Sequence, residues 1–269
     1  HFGRQLSPLP ALMAAADATT RLRVGTVVLD NDFRHPTELA KEAATIDVLS
    51  EGRFELGLGA GYMPSDYQET GIRFDPSPVR FERLTEAIQV IKGCFGEGPF
   101  SHEGKHYQIE GLNSFPKPVQ RPRLPIFIGA SRRRMLTLAA QEADIIGVED
   151  HSWAERRMNS PVLHLANYDE QVATIREAAG GRYADLELSI VVGRVVVTDN
   201  QLAAADELAG RLELTREQVL TSPCNLLGSI DSMVEQLQAR RERFDISYVM
   251  VFNWAIELFA PVVARLTGT

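Results

Sequence analysis

Three short stretches of this chain carry residue types at spacings that chemistry uses. The first is His102-Glu103-Gly104-Lys105-His106, which matches the H-E-x-x-H pattern of zinc hydrolases. That chemistry needs both imidazoles on one face of a helix. Here Pro99 precedes the motif, Gly104 interrupts it and the flanks look like strands, so the expected element is a hairpin with a glycine turn. A hairpin sets the two histidines across a turn, where they are expected to be exposed, and no metal site is assigned. The second stretch, Gly57-Leu58-Gly59-Ala60-Gly61-Tyr62, begins like a dinucleotide fingerprint. Tyr62 occupies the place of the last required glycine, and Pro64 follows where a helix should be opening, so a Rossmann site is not expected. The glycines either admit a ligand or backbone closely or simply form a tight turn.

The third stretch is Gly129-Ala130-Ser131-Arg132-Arg133-Arg134, between a strand and a helix. Ser131 is the expected N-cap. Three arginines in a first helical turn oppose the helix dipole, and an anion bound there would reverse that argument. The competing reading lets the arginines splay into solvent or pair with nearby acids. Glu149, Asp150 and His151 follow a further strand and form either a substrate mouth or an exposed acidic loop. Neither a G-x-S-x-G elbow nor a P-loop is present in the sequence, so serine hydrolase and P-loop readings gain no support.

The elements that must position these residues alternate between apolar strands and amphipathic helices. Strands are expected at 22–29, 54–59, 124–128, 144–148, 186–197 and 246–252, with a hairpin at 100–109. Pro36 opens a helix, with His35 as a loop or cap residue, and further helices are expected at 79–95, 132–142, 168–179, 201–220, 229–243 and 256–266. Residues 60–78 and 150–167 read as loops. Near-continuous apolar strands separated by helices make a parallel sheet covered on both faces. Six strands fit an open doubly wound sheet, or a (β/α)8 barrel of which two strands are missing.

The 269 residues contain 28 Lys+Arg against 36 Asp+Glu, a net charge of −8, which argues against a nucleic-acid partner. No apolar run approaches the ~20 residues of a membrane span. Two cysteines, Cys94 and Cys224, are too few for a disulfide framework, so a cytoplasmic location is expected. No linker divides the chain, and residues 1–269 are expected to form one domain.

Several segments together resemble the luciferase-like monooxygenase superfamily. They are residues 23–29, 35–40, Ser50 to Gly61, Arg80-Phe81-Glu82-Arg83-Leu84, 125–130 and Leu227-Gly228-Ser229, in the family's order. The branch that uses the deazaflavin coenzyme F420 looks most similar. The resemblance implies a TIM (β/α)8-type barrel with a hairpin insertion, lacking its first two strands in this numbering. It also implies that His1, in His1-Phe2-Gly3, is the active-site histidine at the end of the family's second strand. Val27 and Val28 match a strand end where the family often has a non-proline cis peptide against the flavin ring. Asp30 matches a polar residue on the ribityl chain. Ala60, Gly61 and the residues through Ser65 match a coenzyme loop, and Gly129, Ala130, Ser131 and Arg132 a phosphate loop. Tyr62 stands where sugar-phosphate dehydrogenase relatives carry a glutamate, and Ser152 near their phosphate-binding lysine, so a sugar phosphate is not the expected substrate. Trp254 and the two valines would wall the pocket.

The function so implied is F420-dependent hydride transfer to or from a small organic substrate, with His1 as general acid/base and Tyr62 as a hydrogen-bond donor. The alternatives are an FMN-dependent monooxygenase and a non-catalytic flavin-binding barrel. The family often forms homodimers, but no sequence stripe marks an interface here.

Overall fold

A computed structural model describes residues 5–149 and 167–267 of the chain. Helix α1 (Pro8–Asp17) leads into two very short strands, β1 (Val24–Gly25) and β2 (Leu29–Asp30). Helix α2 (Pro36–Leu49) follows, capped by His35, whose Nδ1 accepts from the Thr37 N–H. Then come β3 (Phe54–Gly59), α3 (Pro64–Thr70), α4 (Ser77–Phe95), and the hairpin strands β4 (Phe100–Glu103) and β5 (Gln108–Leu112). Next in order are β6 (Ile126–Ala130), α5 (Arg133–Glu142), β7 (Ile145–Val148), α6 (Tyr168–Ala179), β8 (Glu187–Val192) and β9 (Arg194–Val197). The chain ends with α7 (Gln201–Leu212), α8 (Arg216–Thr221), β10 (Asn225–Gly228), α9 (Ile230–Phe244), β11 (Ile246–Val251) and α10 (Ile256–Leu266).

The main sheet runs β1-β3-β6-β7-β8-β11, with β2 also on β3, and every pairing in it is parallel. Alternation along each strand sorts the side chains. Phe54, Leu56, Leu58, Ile126, Ile128, Ile146, Val148, Leu188 and Ile190 enter the core cluster shared with the helices. The other parity lines the concave side. Register places Gly129, Gly147, Ser189 and Tyr248 in one row across four strands. The sheet curls until Tyr248 on β11 donates to Glu55 on β3, Oη to Oε2 3.2 Å. The architecture is a curled half-barrel with the inserted hairpin, the expected fold class with six strand positions among the described residues.

Four local expectations are corrected. The strand at 22–29 is broken into β1 and β2 by a cis Val27–Val28 peptide. The strand at 186–197 ends at Val192, because the Gly193 N–H turns away to the Cys224 carbonyl. β9 then pairs in parallel with β10, a strand the sequence reading did not foresee. The helix at 201–220 is interrupted at Glu213, which adopts φ 56°. Residues 60–78 are not all loop: α3 opens at Pro64, where a fixed φ suits a first helical turn.

The His-Glu motif lies in the hairpin, His102 on β4 and His106 in the turn, as the interrupted pattern implied. The histidines are not exposed, however. Their side chains are 14% and 13% accessible and pack against α4, each Nε2 3.7 Å from a carboxylate, Glu86 and Glu82 respectively.

Candidate coenzyme cleft at the carboxyl ends of the strands

In a parallel sheet every strand delivers its carboxyl end to the same edge, which is where α/β folds build sites. Here that edge gathers the residues after β2, β3, β6 and β7. Asp30 pairs in register with Gly59, and Ala130 with Val148. Val28 lies against Gly59 so closely that a Cβ there would come 2.7 Å from Val28 Cγ2. Val27 is exposed beside it, and the peptide between the two valines is cis, as the resemblance implied.

Asp30 is buried and already engaged. Its Oδ1 accepts from the Asp32 N–H at 3.0 Å and from the Tyr67 hydroxyl at 3.1 Å. Burial raises the Asp30 carboxyl above its usual range, against the pull of those two donors. Tyr67 also donates to Asp32 Oδ2 at 3.0 Å, and burial together with the two carboxylates pushes its phenol far upward. Arg83 bridges Asp32 at 2.9 Å and Asp75 at 2.5 Å. Burial alone would lower its guanidinium, but the two carboxylates outweigh that and hold it protonated.

The loop after β3 is fixed by Arg80, a buried guanidinium of α4. It donates to the carbonyls of Ala60 (3.1 Å), Gly61 (3.3 Å) and Asp75 (2.5 Å). Gly61 is required where it stands: φ is +72°, and a Cβ would fall 2.1 Å from the Tyr67 oxygen. Tyr62 is 42% accessible at the rim, and Ser65 is exposed in the first turn of α3.

After β6 the expected phosphate loop leads into α5. Its N-cap is Arg132, not Ser131, and Arg132 makes no side-chain capping bond. Arg133 reaches Glu177 at 3.5 Å, and Arg134 lies over the Phe81 ring at 3.9 Å, so two of the three arginines take the solvent-side or packing role weighed against anion binding. Gln171 of α6 ties the loop to β7, its Nε2 donating to the carbonyls of Ser131 (2.9 Å) and Glu149 (3.1 Å). Three acceptors at this edge, Gln171 Oε1, Asn31 Oδ1 and Asp32 Oδ1, are buried with no hydrogen-bond partner among the described residues. An uncapped first helical turn and unpartnered buried acceptors fit a polar ligand with an anionic tail.

The structure thus brings Val27, Val28, Asp30, Ala60, Gly61, Tyr62, Ser65, Gly129, Ala130, Ser131 and Arg132 to one edge. Trp254, 54% accessible, follows β11. His1, Asp150, His151 and Ser152 lie outside the described residues. Sequence reasoning missed Tyr67, Arg80, Arg83 and Gln171. Arg80 and Arg83 lie in a segment that carries the family resemblance; the other signal was polar residues at inward positions of otherwise amphipathic helices. Among the described residues no cluster of three or more His, Cys, Asp or Glu is arranged to hold a metal, and no helix is long and apolar enough to cross a membrane.

Residues 1–247 match the luciferase-like monooxygenase family, and the chain belongs to it. A similar curated protein is the F420-dependent glucose-6-phosphate dehydrogenase of Microbacterium testaceum (strain StLB037), 34% identical over 143 residues, covering 53% of this chain and 42% of that one. Another is the oxygenase component of the flavin-dependent trigonelline monooxygenase of Acinetobacter baylyi (strain ATCC 33305 / BD413 / ADP1), 34% identical over 127 residues, 46% of this chain and 35% of that one. The chain thus spans less than half the length of these relatives. Among solved structures, the coenzyme F420-dependent tetrahydromethanopterin reductase of Methanopyrus kandleri superposes with TM-score 0.74 at 18% identity, over 98% of this chain and 88% of that one. At that identity the likeness is one of fold.

Proposed function

We propose that this chain is an oxidoreductase that binds coenzyme F420 in the carboxyl-end cleft and passes hydride between it and a small organic substrate. One observation carries the reading. The residues that the resemblance assigns to the coenzyme are scattered from Val27 to Arg132, yet they fall on one edge of the curled sheet. The start of α5 and Arg132 would take the phosphate, Ala60 and Gly61 the coenzyme loop, and Val27 and Val28 the ring. Asp30 would stand beside the ribityl chain, held in place by Tyr67. When bound, the coenzyme supplies the hydride chemistry, and the chain binds and orients it. His1 is kept as the group that holds or moves a proton, on the resemblance alone, because imidazole titrates near neutrality. Tyr62 is kept as a rim hydrogen-bond donor. An M. testaceum relative named for F420 supports this choice.

A second reading, an FMN-dependent monooxygenase, is favoured by the relative named as a flavin-dependent monooxygenase. Titration of the protein with F420 and with FMN, followed by fluorescence, separates the two when oxygen consumption is measured on the loaded, reduced protein. Saturable F420 binding without oxygen consumption is expected, because deazaflavin reacts poorly with oxygen. Tighter FMN binding with oxygen consumption selects the monooxygenase. Failure to bind either flavin overturns both and leaves the non-catalytic barrel without its flavin as well.

A further inference from the structure

Glu149 is the first residue beyond β7, and its backbone is held on both sides. Its N–H bonds the Ala130 carbonyl at 2.9 Å, and its own carbonyl accepts from Gln171. Ile146 and Val148 face the helices, so alternation turns Gly147 and Glu149 to the concave side. There the Glu149 carboxylate lies over Gly129: a Cβ on that glycine would come 2.4 Å from Oε1. Glycine at 129 is thus what admits a carboxylate beside the expected phosphate loop. The residue is exposed, while the protein packed on the sheet side of its carboxyl disfavours the charged form and pushes it up to about 7.

Among the described residues, little on the neighbouring elements offsets this. β6 carries no titratable side chain. α6 turns the neutral Gln171 toward Glu149, while its Asp169 pairs with Arg243 at 2.7 Å and its Arg176 with Asp245 at 2.7 Å. Glu170 is exposed on the first turn of α6, and Glu177 meets Arg133. At the start of α5, Arg132 is exposed and Arg134 lies over Phe81. Asp144 and Glu187 sit at the opposite ends of β7 and β8, tied to Arg123 and Ser247.

We propose that Glu149 is a ligand-facing acid of the cleft, which enters the bound state protonated and donates a hydrogen bond to an acceptor atom of an anionic, ring-bearing ligand. This rests on the coenzyme reading above, because the ligand class follows from an anion at the start of α5. An anion brought beside a confined carboxyl favours the neutral form, so binding draws a proton onto Glu149. The same proton then stands beside whatever reacts in the cleft.

The test is calorimetric titration of the protein with F420, repeated with FMN, about one unit above neutrality in buffers of differing ionisation enthalpy. The parent is expected to take up a large fraction of one proton per ligand bound. Glu149→Gln, which keeps shape and hydrogen-bonding capacity but needs no proton, is expected to bind at least as tightly as the parent under these conditions, with that uptake abolished. Gly129→Ala, which pushes the carboxylate toward solvent, is expected to diminish it, and infrared titration of the ligand-free proteins follows the Glu149 carboxyl directly. Binding without proton uptake, or uptake unchanged in Glu149→Gln, overturns the assignment. A parent that binds neither flavin overturns the coenzyme reading instead, and this assignment with it, so the two failures are told apart.

Discussion

Tyr248 and Glu55 are 193 residues apart in sequence and joined by a hydrogen bond of 3.2 Å across the concave side of the sheet. Arg23 completes the cluster, 2.9 Å from the other Glu55 oxygen. Burial raises the Glu55 carboxyl, against the pull of Arg23 and then of Tyr248. Burial and Glu55 push the Tyr248 phenol up to about 12. Tyr248→Phe is expected to cost about 1–2 kcal/mol, the loss of a hydrogen bond to a charged acceptor. The pH dependence has a definite sign. A carboxyl raised on folding contributes stability that is complete below its unfolded value of 4.5 and is lost as pH rises through the folded value. The phenol bonds the ionised form best, so thermal unfolding should show a parent-to-variant gap that widens from pH 4 toward pH 8. A gap independent of pH contradicts this account.

Two glycines of the inner face predict different costs for one methyl group. A Cβ on Gly57 would meet the Thr26 backbone oxygen at 1.7 Å, and the Thr26 hydroxyl is locked between Gly57 O (2.9 Å) and Gly57 N (2.8 Å). Nothing there can yield without parting β1 from β3. Gly57→Ala should destabilise by about 3 kcal/mol or more, as overpacking against backbone does. Gly129→Ala meets only the far end of the Glu149 side chain and should cost less than about 1 kcal/mol. Urea unfolding of the two variants decides the order.

The sheet was legible because its strands are apolar on both faces, and so was the hairpin, because Pro99 and Gly104 forbid the helix that the His-Glu spacing would otherwise suggest. The break after Val192 was not, because Gly193 sits inside a run of valines that reads as one strand. Asn225-Leu226-Leu227-Gly228 is too short to be told from a helix start. Pro64 was read against a helix, although a proline in a first turn is well tolerated and α3 begins there. Of the cleft, the glycine clusters and strand ends were visible. The side chains that fix them were not: Arg80 and Gln171 act across 19 to 40 residues of sequence, and pattern within one helix does not reveal the loop it holds.

Arg80 carries the clearest test of that hidden scaffolding. It is buried, it serves two carbonyls of the loop after β3 and the Asp75 carbonyl just ahead of α4, and its guanidinium lies over the Phe74 ring at 4.0 Å. Arg80→Met keeps the stem and strips the donors. A loss of about 3 kcal/mol is expected, the range for charged hydrogen bonds whose acceptors stay enclosed. Amide exchange should speed up at residues 60–63 and less so elsewhere. Equal acceleration throughout the chain would show global destabilisation and no particular hold on the loop.

Glu86 anchors the hairpin to α4 by accepting the backbone N–H groups of Lys105 (3.1 Å), His106 (2.8 Å) and Tyr107 (3.2 Å). Burial alone would raise its carboxyl, but those three donors outweigh it and hold Glu86 below its usual range. A carboxyl lowered on folding contributes stability that is complete above its unfolded value of 4.5 and is lost as pH falls through the folded value. The parent should therefore weaken on its acid limb below pH 4.5, and Glu86→Gln, which offers one oxygen and no charge, should flatten that limb while lowering stability at neutral pH by about 1–2 kcal/mol. The neighbouring Glu82 is also lowered, mainly by its hydrogen bond to Lys105, which lies 2.8 Å away. Lys105→Met separates the two contributions: the Glu82 side chain is 41% accessible, so its share is expected to be small. If Lys105→Met flattens the acid limb as much as Glu86→Gln does, the backbone bonds of Glu86 are not what the hairpin depends on.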